Sequence, residues 1–127
     1  MHKKNKRPVY LNLFKIRLPI SGFVSIVHRV TGVMLVLFLP LSLYFLDVSL
    51  KGEEQFAQIR DWFSGVSGRI SLGIVVWLFA QHFFSGFRHL LLDIDIGVDK
   101  ATAHASSWIT FVLSLITVVV LETVLWP

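Results

Sequence analysis

The residues able to do chemistry in this chain fall in two clusters. The first is Ser25-x-x-His28-Arg29-x-Thr31-Gly32, and it opens a long hydrophobic run. The second is Gln81-His82-Phe83-Phe84-Ser85-Gly86-Phe87-Arg88-His89, and it closes another. An imidazole can ligate a metal or carry a proton, a guanidinium can pair with carboxylates, and a hydroxyl can donate to a carbonyl oxygen. A basic side chain at the centre of a membrane helix costs roughly 2.5–3.5 kcal/mol on insertion scales. Residues of this kind imply a partner inside the membrane that holds them.

The elements that must position these clusters are helices. Residues 1–20 form a polar, basic arm, with Leu13, Phe14, Ile16 and Leu18 interleaved among the charges as in an interfacial segment. Pro19 suits the first turn of a helix. The pattern predicts membrane spans over 21–48, 67–92 and 102–126, each about 25 residues or roughly 37 Å long. Pro40 is expected to bend the first span. The connector 49–65 places Phe56, Ile59 and Phe63 at helical spacing, which predicts a short interfacial helix with Trp62 at headgroup level. Trp108 and Trp126 bracket the third span as interfacial belts. The 93–101 turn is short, so the second and third spans are expected to be antiparallel neighbours. The whole chain reads as one all-α membrane domain.

Depth then brings the clusters together. Ser25 and Arg29 share a helix face near the start of the first span, and His28 flanks it. The second span runs the other way, so Arg88 and His89 lie near the same end, with His82 roughly 10 Å further toward the midplane. His82 and His89 lie on nearly one face, with Ser85 and Gly86 between them. A haem fits this pattern. His82 would ligate the iron, Gly32 and Gly86 would let a flat macrocycle approach the backbone, and Arg29, His28 or Arg88 would meet the propionates. His89 completes the cationic rim. The alternative is that a membrane histidine makes only a helix–helix hydrogen bond. For Ser25, helix packing and ligand contact are equally good readings. Trp77, Phe83, Phe84 and Phe87 read as packing, and His104 and Glu122 as interfacial.

Composition narrows the classes further. More than half of the chain is apolar, so the basic balance is no nucleic-acid signal. The positive charge is concentrated in Lys3, Lys4, Lys6, Arg7, Lys15 and Arg17, ahead of the first span. That places the N-terminus in the cytoplasm and the C-terminus outside. The absence of cysteine excludes disulfides, cysteine-ligated iron–sulfur clusters and covalently attached haem. The N-terminus has no signal-peptide layout and no transit peptide, which favours a bacterial inner membrane.

Several of these residues form a recognisable set. Arg7-Pro8, Leu18-Pro19, the first cluster and His82-x-x-x-Gly86-x-Arg88-His89-x-x-x-Asp93 resemble the cytochrome b556 anchor subunits of succinate dehydrogenase. The resemblance covers roughly residues 7–93. It implies three transmembrane helices in a bundle completed by a second, smaller anchor subunit. It also implies a flavoprotein subunit and an iron–sulfur subunit docked on the cytoplasmic face, with electrons from succinate passing to ubiquinone. Under it His82 matches the axial ligand of haem b, Ser25 and Arg29 match quinone-site residues, and His28 matches a residue near the propionates. A fumarate reductase anchor working in the opposite direction is the nearest alternative. A haem-free structural anchor is the other. No acid lines a path across the membrane, so proton pumping is not expected.

Overall fold

The computed structural model describes residues 18–126, so the expectations for the arm before Leu18 lie outside the described residues. Four helices follow in order: α1 (Ile20–Ser49), α2 (Glu53–Ser64), α3 (Val66–Asp93) and α4 (Lys100–Leu125). α1, α3 and α4 are long and apolar enough to cross a membrane. Their bounds differ from the sequence expectation by one or two residues at each end. Pro19 sits just outside α1 as its N-cap, not in the first turn. Its backbone is extended, and its carbonyl accepts the first bonds from the Gly22 and Phe23 amides. α1 continues through Pro40 as one helix.

α2 forms as the connector predicted, but its inward face is different in detail. Ile59 and Phe63 are half-buried, whereas Phe56 is exposed. Glu53 and Glu54 occupy its first turn, where acidic groups complement the helix dipole. Trp62 stacks on Phe45 of α1 with ring centroids 5.7 Å apart. The chain then reverses at Gly65 into α3. Gly68 is buried there because a Cβ would run into the Trp62 carbonyl and the Phe63 backbone. An apolar groove of about 480 Å³ remains between α1, α2 and α3, lined by Phe38, Phe45, Trp62 and Leu72 among others.

α3 packs against both α1 and α4, and α1 meets α4 less extensively. The interior is polar rather than oily. Among the described residues the buried large apolar side chains and alanines are Val24, Leu78 and Ala80, while Thr31, Gln81, Ser85, Arg88, Ser107, Thr110 and Ser114 are all buried. Large aliphatic and aromatic side chains point outward along every span. This is the arrangement expected where lipid is as apolar as leucine and helices associate through small residues and hydrogen bonds. Trp77 and Phe84 are half-buried, but Phe83 and Phe87 are exposed at 57% and 56% and make no interior.

The turn from α3 to α4 passes through Asp95 and Gly97, both at positive φ. Asp99 then caps α4, accepting from the Thr102 amide at 2.9 Å. That bond holds the Asp99 carboxyl below the usual carboxylate range. A lowered value in the folded state means that the cap's contribution is complete above about pH 4, the ordinary carboxylate value, and fades as pH falls through the lowered value. The Thr102 amide should therefore be protected from hydrogen exchange at neutral pH and lose protection in acid. Asp99→Ala should remove the protection at every pH. Equal protection of Thr102 in both proteins would remove Asp99 from the capping role.

Candidate functional site

The seam between α1 and α3 carries both clusters at one antiparallel register. His82 of α3 lies over Gly32 of α1, and His28 of α1 lies over Gly86 of α3. A Cβ on Gly32 would stand 2.9 Å from Cε1 of His82, and one on Gly86 would stand 3.1 Å from Nε2 of His28. Each glycine is therefore the socket for an imidazole from the opposite helix. The two rings stack with centroids 4.2 Å apart and planes 12° from parallel. One step nearer the α3 C-terminus, Ser25 and His89 line a shared cavity. The glycine clearances expected for a macrocycle are thus occupied by rings. His28, placed by depth at the rim, reaches inward to His82.

His82 is oriented through one ring nitrogen. Its Nδ1 lies 3.0 Å from the His28 carbonyl oxygen and 3.3 Å from the Thr31 hydroxyl. A carbonyl can only accept, so Nδ1 carries the proton and donates. The Thr31 hydroxyl donates to the same carbonyl at 2.9 Å, which leaves its oxygen free to share the Nδ1 proton. Nε2 has no hydrogen-bond partner among the described residues, and in the neutral ring it is the nitrogen that can bind a metal. Ligating histidines are oriented in this way, with the second nitrogen donating to a backbone carbonyl. His82 also lies roughly 16 Å from the end of α3, near the middle of a typical hydrocarbon core. Among the described residues no three His, Cys, Asp or Glu side chains converge as a metal cage. What the seam offers is one oriented imidazole, the donor that one axial position of a haem requires.

The cavity of about 560 Å³ beside this seam is lined by Ser21, Gly22 and Ser25 of α1, by Arg88, His89, Leu92 and Asp93 of α3, and by Val98 and Ala103 beyond. Its size is within the usual range for small-molecule sites. Ser25 is half-buried with its hydroxyl available. His89 contributes an Nδ1 that is buried without a hydrogen-bond partner, and its ring lies 5.0 Å from that of His28. Arg88 is only 5% exposed. Its Nε donates to the Ser106 hydroxyl at 3.0 Å and its Nη2 to the Ala103 carbonyl at 3.1 Å. Both partners are neutral, and no carboxylate pairs with Arg88 among the described residues. A buried cation without a counter-ion favours an anionic or electron-rich group in the adjoining cavity. Arg29 is exposed on α1 and does not line the cavity. The structure therefore gathers His28, His82, His89, Gly32, Gly86, Ser25 and Arg88, and leaves Arg29 on the outward face.

The sequence reading gave no role to the polar residues that join α3 to α4. The Ser114 hydroxyl donates to the Gln81 side-chain oxygen at 2.7 Å, and the Gln81 amide donates to the Ser85 hydroxyl at 2.9 Å. Thr110 lies 3.5 Å from the same amide nitrogen. The signal was the spacing of Ala103, Ser107, Thr110 and Ser114, which makes one helix face of small residues.

The chain is 32% identical to the succinate dehydrogenase cytochrome b556 subunit of Coxiella burnetii over 123 residues, covering 95% of this chain and 98% of that protein. It is 32% identical to the subunit of that name from Paracoccus denitrificans over 108 residues, covering 82% and 80%. The Rickettsia felis subunit is 30% identical over 122 residues, covering 96% and 92%. The profile of the succinate dehydrogenase/fumarate reductase transmembrane subunits matches residues 3–121. That match runs beyond the clusters and through most of α4, and the chain belongs to this family of transmembrane subunits.

Proposed function

We propose that this chain is the haem b-binding membrane anchor of a succinate:ubiquinone oxidoreductase and carries part of its quinone-reducing site. The observation that carries the reading is the His82 imidazole, with Nδ1 tied to the His28 carbonyl and Nε2 free. His82 would hold the haem iron, and a second, smaller anchor subunit would complete its ligation. Arg29 and Arg88 supply positive charge toward the propionates, His28 and His89 supply ring nitrogens for hydrogen bonds, and Gly32 and Gly86 keep the seam narrow. When bound, the haem supplies a one-electron carrier within the membrane.

The cavity at the cytoplasmic end of the seam takes the ubiquinone headgroup. The Ser25 hydroxyl donates to a ring carbonyl. Arg88 is held rigidly by Ser106 and Ala103, so its charge stabilises negative charge developing on the ring oxygens without reorganising. Arg29, exposed on α1 beside His28, adds its charge toward the headgroup from outside the cavity wall. His89 and Asp93 are titratable groups of the cavity wall and can pass protons at its mouth. The flavoprotein subunit completes the complex. Family membership, the exposed apolar spans and the similarity to bacterial subunits support a bacterial inner-membrane location.

His82→Ala should abolish the low-spin haem spectrum of the assembled complex. Gly32→Ala, which drives a methyl against the His82 ring, should shift that spectrum and destabilise the complex by about 1–3 kcal/mol. A reduced-minus-oxidised spectrum and a thermal melt measure both effects. Unchanged low-spin haem in His82→Ala would exclude His82, and absence of a b-type band from the wild-type complex would favour the structural-anchor alternative.

Ser25→Ala should lower quinone reduction while succinate oxidation with a dye acceptor survives. The lost hydrogen bond is worth about 0.5–1.5 kcal/mol, or roughly 2- to 13-fold in rate. Arg29→Leu should be more severe. The ratio of quinone-linked to dye-linked activity decides the matter, and a wild-type ratio in both variants would move the quinone site elsewhere.

The N-terminus is cytoplasmic and the C-terminus periplasmic, because the six basic residues of the arm outweigh the loops. A reporter fused before Met1 should be active only in the cytoplasm, and one fused after Pro127 only in the periplasm. Finding both ends on one side would rule out three spans.

A further inference from the structure

The segment from Gln81 to His89 contains three doublets: Gln81-His82, Ser85-Gly86 and Arg88-His89. They are spaced four and then three residues apart, so the first members form one stripe on α3 and the second members form another. Adjacent residues on a helix diverge by about 100°. The first stripe faces α4. Gln81 and Ser85 have no exposed surface and Arg88 has 5%. Gln81 is tied to Ser114, and Arg88 to Ser106 and Ala103. The second stripe faces α1. His82 donates to the His28 carbonyl, Gly86 lies under the His28 ring, and His89 approaches that ring.

We propose that Gln81 is a positioning residue for His82: its amide, clamped to Ser114 and Thr110 of α4, fixes the rotation of α3 and thereby aims the imidazole at the α1 seam. The inference rests on the reading of His82 as the haem ligand. The physical reason lies in the solvent. Outward-facing aliphatic side chains meet lipid equally well at many rotations of a helix, so apolar packing sets no unique azimuth. A buried primary amide does. Turning α3 by one residue would carry Gln81 out of reach of the Ser114 hydroxyl and leave its side-chain oxygen without a donor in hydrocarbon, while the amide nitrogen keeps Ser85 and Ser114 keeps the Phe111 carbonyl. His82 is bonded to the next residue of the chain, so its direction follows from that of Gln81. Ser114 hydrogen-bonds Gln81 and its own helix and neither histidine ring, so its link to His82 runs through Gln81 and α3.

The test uses the assembled complex in its membrane. Gln81→Leu should shift the electron paramagnetic resonance g value and the reduction potential of the low-spin haem, and weaken haem retention roughly 10-fold, the scale of a lost outer-shell partner. Dye-linked succinate oxidation by the soluble subunits should remain at the wild-type level. Ser114→Ala should shift the g value and potential in the same direction by less, and Ser114→Thr, which keeps the hydroxyl, should restore the wild-type signal. Should Gln81→Leu fail to assemble, the two Ser114 variants carry the test alone. Wild-type haem parameters in Ser114→Ala, or equal shifts in Ser114→Ala and Ser114→Thr, would overturn the proposal. His82→Ala is run beside them. Retention of its low-spin signal would sink the ligand reading itself, whereas loss of that signal with unshifted Ser114→Ala would sink only the positioning role of Gln81.

Discussion

Helices in a bilayer gain little by burying leucine against leucine, because lipid tails offer the same contact. What holds this chain's spans in one arrangement is the need of polar groups to find each other. Gln81 is the centre of that constraint. It is fully buried, its oxygen accepts from Ser114, and its nitrogen donates to Ser85. Ser107 and Thr110 continue the seam as small side chains whose hydroxyls bond back to their own helix, at Ala103 and Ser107. Their small size lets α3 and α4 come close, and their hydroxyls are not left unpaired in hydrocarbon. The outward display of large apolar residues is the complement of this interior, and it solubilises the bundle in lipid.

α3 is therefore the member on which both seams are built. Toward α4 it is fixed by an amide and a guanidinium. Toward α1 it presents imidazoles that fit into glycine sockets. The second seam is the chemically versatile one. Its stacked His28 and His82 rings and the unpartnered His89 nitrogen leave donor or acceptor capacity unused by the chain itself. Stability is concentrated on one side of the helix, and unsatisfied bonding capacity on the other.

The spans were legible because length and apolarity at a membrane scale admit few alternatives. The short helix α2 was legible from periodicity, though Phe56 faces away from the inward side that Ile59 and Phe63 define. The histidine clusters stood out because ionisable groups are rare in such runs. Two things were not read. The serines and threonines of α4 carry little hydropathy signal one at a time, and only their common face marks them. Arg88 was placed by depth alone, beside Arg29. Its azimuth puts it on the stripe of Gln81 and Ser85, so it is buried against Ser106 while Arg29 stays outside. Depth is a coordinate along the helix, and direction around the helix needs the partner's pattern as well. The ring of His28 shows the same limit, since the antiparallel register brings it onto His82.

The paired stripes also determine which changes of length this chain can absorb. The loops on either side of α2 and the turn before Asp99 join helix ends near the membrane surface, where an added residue alters a loop and little else. Between Gln81 and His89 an inserted or deleted residue would turn everything beyond it by about 100°. Side chains meant for α4 would then face α1, and those meant for α1 would face lipid. No single replacement nearby could restore both seams, because the two stripes would be displaced together. The segment is thus free to vary in the identity of its outward residues, such as Phe83 and Phe87, but not in their number.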